Sequence, residues 1–281
     1  MKSAPALSAI IDEYSALFCD VWGVIRDGHA LLPEAIGALQ EARRHGKPAI
    51  LVSNSPRPAS DLHRQLNLMG APDDAWDGIV TSGDATRLAL SELAPGPFVK
   101  IGPPGGDDRL YDGLDIHFSD LEEARAIVCT GLTPEIGWDP EDYRDLLTAM
   151  AGRNLPMVCA NPDIVVQVGD ELVWCAGALA RLYRELGGKS IISGKPHKPI
   201  YELAYKALEA AGWSGERNSV LAIGDGPETD IAGAERIGVD ALFVGDGIVG
   251  GAIGGSDIAA AKAVLAEYGA DARWFTSRLI W

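Results

Sequence analysis

Positive charge is scarce in this chain. Lysine and arginine number 24 against 40 aspartates and glutamates, a formal net charge of -16. Nucleic acid is held by clustered Lys and Arg, so the composition argues against a nucleic-acid partner and against an anionic membrane surface. The densest basic run, Arg43-Arg44-His45, sits at the end of a predicted helix, where basic side chains complement the helix dipole. Cysteine is scarce too. Cys19, Cys129, Cys159 and Cys175 form no CxxC pair, and the first three lie inside apolar strand-like runs. They are expected to be buried thiols in a reducing compartment, and the singly scattered histidines argue against a zinc site. No apolar run is long enough to span a bilayer. Met1 to Tyr14 carries Asp12 and Glu13 and lacks a signal peptide's charged head and apolar body, so a cytoplasmic location is expected.

What is present is an ordinary globular composition, 47% hydrophobic and 23% charged over 281 residues. Short apolar runs alternate with helical patterns, the mark of βα units around a parallel sheet. Strands are expected at Ala16 to Cys19, Pro48 to Val52, Val220 to Ile223 and Ala241 to Val244. Helices are expected at about Pro33 to Arg44, Pro58 to Met69, Pro199 to Ala211, Thr229 to Ile237 and Asp257 to Tyr268. Prolines open several of these helices and glycines close them, at Gly46, Gly70 and Gly212. The middle differs in texture, with strands at Phe98 to Ile101, Ala126 to Thr130 and Met157 to Ala160. A hairpin follows, Val165 to Val168 joined to Leu172 to Trp174 through Gly169-Asp170. The expectation is an α/β protein: a Rossmann-like parallel-sheet core, residues 1–84 and 187–281, with a smaller α/β domain, residues 85–186, inserted.

Three apolar strands end in a polar residue where a parallel sheet delivers its chain to the loops: Phe18-Cys19-Asp20, Leu51-Val52-Ser53 and Ala222-Ile223-Gly224-Asp225. Ligands of open α/β sheets bind outside the carboxyl ends of the strands. Two carboxylates brought together there repel unless a cation lies between them or one takes up a proton, and a few carboxylates with retained water suit Mg²⁺. Such a cation would also neutralise phosphoryl oxygens. Gly194-Lys195-Pro196 supplies a lysine for the other side of a phosphate.

The segment Phe18-Cys19-Asp20-Val21-Trp22-Gly23-Val24 resembles motif I of the haloacid dehalogenase superfamily. Leu51-Val52-Ser53-Asn54-Ser55 is similar to motif II, Gly194-Lys195-Pro196 to motif III, and Gly224-Asp225-Gly226-Pro227-Glu228-Thr229-Asp230 to motif IV. They come in the family's order over nearly the whole chain. Asp27-Gly28 fits the family's hairpin flap. The long insertion, with Ala160-Asn161-Pro162-Asp163 and Gly177-Ala178-Leu179, is similar to the α/β cap of the class IIA, NagD-like subgroup. The resemblance implies a Mg²⁺-dependent phosphatase in which Asp20 forms an aspartyl-phosphate and Ser53, Asn54 and Ser55 bind phosphoryl oxygens. Lys195 would stabilise their charge. Asp20, the Trp22 backbone carbonyl and Asp225 would hold the metal, with Asp230 positioning metal-bound water or pairing with Lys195. The implied partner is a small phosphorylated metabolite, a sugar phosphate, nucleotide or phosphorylated cofactor, chosen by cap residues about Ile164 to Cys175.

One departure stands out. The family's motif I has a second aspartate two residues after the nucleophile, where this chain has Trp22. That aspartate protonates the leaving group, a contribution of roughly 10²–10⁴ in rate. Three consequences stay open: an activated substrate such as an acyl or aryl phosphate, a substitute acid such as Asp27 or His29, or a weakened protein that chiefly binds a phosphometabolite. The Gly-rich run Gly245 to Gly255 is too long for a dinucleotide-binding turn and is expected to be a mobile loop beside the site. Asn161 and Asp163 suit a turn or a substrate contact equally. Trp174, Trp213, Trp274 and Trp281 are expected to pack, and a homodimer, if formed, would use the cap surface.

Overall fold

In the computed structural model, the residues described are all but 106, 169, 170, 249 and 254–256. The strands are β1 (Lys2–Ser3), β2 (Ala16–Cys19), β3 (Ala49–Ser53), β4 (Gly78–Thr81), β5 (Phe98–Ile101), β6 (Ala126–Cys129) and β7 (Pro156–Cys159). They continue with β8 (Val165–Val168), β9 (Glu171–Trp174), β10 (Lys189–Ile192), β11 (Val220–Gly224), β12 (Asp240–Val244) and β13 (Trp274–Thr276). The helices are α1 (Pro33–Arg44), α2 (Ala59–Leu68), α3 (Ser82–Glu92), α4 (Arg144–Gly152), α5 (Ala176–Glu185), α6 (Lys198–Ala210), α7 (Ala232–Ile237), α8 (Gly250–Ile253) and α9 (Ile258–Glu267).

Seven strands form one parallel sheet in the order β1-β13-β12-β11-β2-β3-β4. The short apolar runs are continuous because both faces of this sheet are covered, and the strand period of two divides each run between them. Leu17 and Cys19 of β2, Leu51 of β3, and Leu221 and Ile223 of β11 join one apolar layer with Leu39 of α1 and Leu66 of α2. Their neighbours Phe18, Ile50, Val52 and Ala222 join the other, with Tyr201 and Tyr205 of α6 and Phe243 of β12. From β2 the chain runs outward through β3 and β4 on one side, and through β12 and β13 beyond β11 on the other. The order therefore reverses between β2 and β11, and the crevice outside their carboxyl ends is where such sheets take ligands.

A second, four-stranded parallel sheet, β10-β7-β6-β5, lies between β4 and β11 in sequence. It is built by the same alternation: Ile127 and Cys129 face Tyr143, Leu147 and Leu179, while Ala126 and Val128 face Phe98 and Leu110. Lys189–Ile192 pairs with Pro156–Cys159, so this sheet extends beyond residue 186, where the inserted segment was expected to end. The hairpin β8–β9 is antiparallel, and its expected turn, Gly169-Asp170, lies outside the described residues. The helix expected from Thr229 begins instead with one π-turn, Pro227–Ile231, before α7. β1, β4, β10 and β13, short or edge elements, were not anticipated.

All four cysteines are free and buried. Trp274 is buried as expected, but Trp174 is 41% exposed on the hairpin. Among the described residues no helix is long and apolar enough to cross a membrane. Leu17 is fully buried in the central strand, and Leu17→Ala is expected to cost about 2–5 kcal/mol, read as a lowered urea midpoint at unchanged slope.

Candidate active site

Asp20 follows β2 directly, and its backbone N–H donates to the Ile223 carbonyl of β11 at 2.9 Å, which ties the two strand ends together. Asp225 follows β11, Ser53 ends β3, and Lys195 stands in the loop between β10 and α6. All four are buried, as are Asn54 and Asp230. The Lys195 ammonium donates to Asp20 Oδ1 at 2.6 Å and to Asp230 Oδ1 at 2.7 Å. Carboxylate oxygens of Asp20, Asp225 and Asp230 lie within 4.8 Å of one another. Asp230 thus pairs with Lys195 and also stands in the acidic cluster with Asp20 and Asp225.

The Lys195 loop is fastened by Asn54. Lys195 N donates to Asn54 Oδ1 at 2.8 Å, and Asn54 Nδ2 reaches both the Lys195 carbonyl at 3.2 Å and Asp163 Oδ1 at 2.7 Å. Asn54 thus links the main sheet to the inserted segment, a role that spacing alone did not reveal. Asp163 contacts Asn54, and Asn161 Oδ1 accepts from Asp163 N at 3.1 Å, so the expected turn is made by Asn161. Ser53 Oγ accepts from Ser55 N at 3.2 Å, which leaves its hydroxyl proton free to donate.

Asp225 is held more tightly than its motif suggests. Its Oδ2 accepts from Ile248 N at 2.6 Å. A Cβ on Gly23, whose φ is +78°, or on Gly247 would come within 2.0 Å of the same oxygen. Gly247 and Ile248 belong to the Gly-rich run, whose inner end therefore serves Asp225; residues 249 and 254–256 of that run lie outside the described residues.

Burial, and then the charge of Asp230, push the Asp20 carboxyl well above the usual carboxylate range, against the pull of Lys195. Asp225 is raised to about 7 by burial and then by Asp230. Burial opposes the Lys195 ammonium, but the charges of Asp20 and Asp230 outweigh it and raise its pKa. Three buried carboxylates against one ammonium leave an excess of negative charge, all of it on oxygen donors. That donor set fits a hard divalent cation such as Mg²⁺.

Trp22 is half-buried, with the Arg26 guanidinium stacked 4.2 Å from its ring centre. Asp27 Oδ1 accepts from His29 N and Ala30 N, both at 2.7 Å, and these backbone bonds hold its carboxyl below the usual range. Over these residues opens a cleft of about 1340 Å³, lined by Asp20, Ser53, Lys195 and Asp225 below and by Trp138 and Trp174 of the inserted segment above.

Comparison with known proteins agrees with this arrangement. Residues 17–112 match the family profile for haloacid dehalogenase-like hydrolases, and residues 192–268 match the HAD-hydrolase-like profile. The crystal structure of a haloacid dehalogenase-like hydrolase from Brucella suis is 43% identical, covers 99% of this chain and 100% of its own, and superposes with a TM-score of 0.87. The D-glycerol 3-phosphate phosphatase of Mycobacterium tuberculosis is 25% identical over 86% of this chain, which spans 66% of that protein's length. The acid sugar phosphatase of Staphylococcus aureus is 27% identical over 84% of this chain and 88% of its own. The chain belongs to the haloacid dehalogenase-like hydrolase family, in its class IIA, NagD-like branch.

Gly23→Ala places a methyl against Asp225 in a backbone region that favours glycine. It is expected to weaken Mg²⁺ binding by about 10–100-fold without unfolding the chain, as measured by calorimetric titration alongside circular dichroism.

Proposed function

We propose that this chain is a phosphatase that hydrolyses a phosphate monoester of a small metabolite through an aspartyl-phosphate on Asp20. The observation that carries the reading is the Lys195 ammonium bridging Asp20 and Asp230 at the carboxyl ends of the central strands. Lys195 occupies Asp20 Oδ1, and among the described residues Oδ2 has no hydrogen-bond partner, so Oδ2 is the attacking atom. The Oδ2–P bond forms as the ester oxygen departs with its electron pair. Water then hydrolyses the acyl phosphate, releasing inorganic phosphate and restoring the carboxylate. Ser53 Oγ and the backbone N–H groups about Asn54 and Ser55 donate to the phosphoryl oxygens, and Lys195 balances their charge. Asp20, the Trp22 carbonyl and Asp225 would hold Mg²⁺, which when bound supplies electrostatic stabilisation of phosphoryl oxygens. The segment 85–186, continued by β10 to Ile192, acts as a cap that excludes water and selects substrate. Relatives named for glycerol phosphate and sugar phosphates support a substrate of that size.

Trp22 sets the chemistry apart. An indole offers the leaving group no acidic proton, and Asp27 is a poor substitute because its carboxyl is committed to two backbone donors and is held low. Unless His29, which also lines the cleft, donates a proton, the leaving group departs largely unprotonated, which favours acyl and aryl phosphates. The same observation supports the second reading, a weakened family member that binds a phosphometabolite. The retained Asp20, Ser53, Lys195 and Asp225 favour the enzyme.

Phosphate release from aryl, acyl and alkyl phosphates, with and without Mg²⁺, tests this. Magnesium-dependent release that disappears in Asp20→Asn is expected; no release beside Mg²⁺-dependent ligand binding would leave the binding protein standing. Aryl esters are expected to outrun alkyl esters, and Trp22→Asp to raise kcat for alkyl esters by about 10²–10⁴. Equal wild-type rates on both ester types would remove the argument from the missing acid.

A further inference from the structure

In a chain with so large an acidic excess, almost every arginine finds a partner. Arg43, Arg64, Arg109, Arg144, Arg217, Arg273 and Arg278 lie in ion pairs of 3.0 Å or less. Arg44 pairs with Glu41 and Arg57 with Asp107, while Arg26, Arg87 and Arg153 donate to backbone carbonyls. Among the described residues, the guanidinium groups with no ion-pair or hydrogen-bond partner are those of Arg125, Arg181, Arg184 and Arg236. All of these but Arg125 line the cleft over Asp20.

They come from separate elements. Arg181 and Arg184 lie three residues apart on one face of α5, in the inserted segment, and Arg236 is in α7, on the helix that follows Asp230. His197 caps α6 two residues after Lys195 and also lines the cleft. Its imidazole is held below its ordinary pKa by burial and then by the charges of Arg236 and Arg184. At neutral pH the ring is a neutral hydrogen-bond donor. The phosphoryl seat has its own cation in Lys195, so these groups are not needed there. The cleft is also larger than the roughly 300–1,000 Å³ that a small ligand fills, which leaves room beyond that seat.

We propose that Arg184, Arg236 and His197, with Arg181 beside them, bind a second anionic group of the substrate, a carboxylate or a second phosphate remote from the ester that is cleaved. The inference rests on the phosphatase reading and narrows its substrate class to phosphorylated metabolites that carry a further acid group. Planar guanidinium forks pair with either anion in two-point contacts. Because α5 and α7 come from the inserted segment and the main sheet respectively, an anion held between them also bridges the two sides of the cleft.

The test compares kcat/KM within matched pairs: 3-phosphoglycerate against glycerol 3-phosphate, and fructose 1,6-bisphosphate against fructose 6-phosphate. The wild type is expected to prefer the more anionic member of at least one pair. Preference in the first pair alone identifies a carboxylate, and in the second alone a phosphate. In Arg184→Gln and in Arg236→Gln that preference is expected to fall by about tenfold, mainly through KM, a charge-assisted contact being lost. Arg125→Gln, an exposed and unpaired arginine outside the cleft, is expected to leave it unchanged. No preference in either pair, or a preference that survives the Arg184→Gln/Arg236→Gln double variant, overturns the proposal. Should the wild type release no phosphate from any compound, the phosphatase reading itself fails. Calorimetric binding of the same pairs then decides the second site, with equal affinities overturning it and a preference lost in the double variant supporting it.

Discussion

The contact on which the rest depends is one ammonium held between two buried carboxylates. Lys195 reaches Asp20 and Asp230 from a loop that begins in the second sheet and ends in a helix packed on the first. Removing three charged side chains from water costs several kcal/mol per ion unless each finds its counter-charge at close range. The fold supplies that range by placing Asp20 and Asp225 at the ends of neighbouring strands and by turning Asp230 back through a π-turn. Asn54 then fixes the lysine backbone from both sides, so the ammonium has little freedom to leave. The excess negative charge that remains is the physical basis for a divalent cation at this place.

Two features give this chain its own character within its family. Trp22 takes the place of an acid, and its ring is covered by the buried Arg26 rather than left free to move. On the proposed phosphatase reading, the site would bind and attack a phosphoryl group without handing a proton to what departs. The other feature is the set of arginines, most of them paired locally, while Arg181, Arg184 and Arg236 at the cleft have no partner among the described residues. A protein with net charge -16 repels anions at long range, so unpaired guanidinium groups at the cleft would supply local attraction on the proposed reading.

Much of the core was legible in the sequence because its signals are local. The period-two split of Ala16 to Cys19 or Val220 to Ile223, the proline that opens α1 and the glycines that follow α1, α2 and α6 act within a few residues. The four short motifs could be matched in order for the same reason. What escaped was non-local. Lys189–Ile192 reads like any short apolar run, and only pairing with Pro156–Cys159 assigns it to the second sheet. Trp174 resembles a packing residue by composition, yet its strand stands at the cleft.

The sequence by itself determined the strand-end placement of Asp20, Ser53 and Asp225, the lysine between glycine and proline, and the tryptophan two residues after Asp20, since each depends on residue type and near neighbours. Tertiary structure alone decided that Asp230 pairs with Lys195, that Ile248 and Gly247 lock Asp225, and that Asn54 joins the main sheet to the inserted segment. It also decided that arginines from two different helices face one cavity. These partners are brought together only when the strands pair and the inserted segment closes over them, and no spacing along the chain encodes a distance across space.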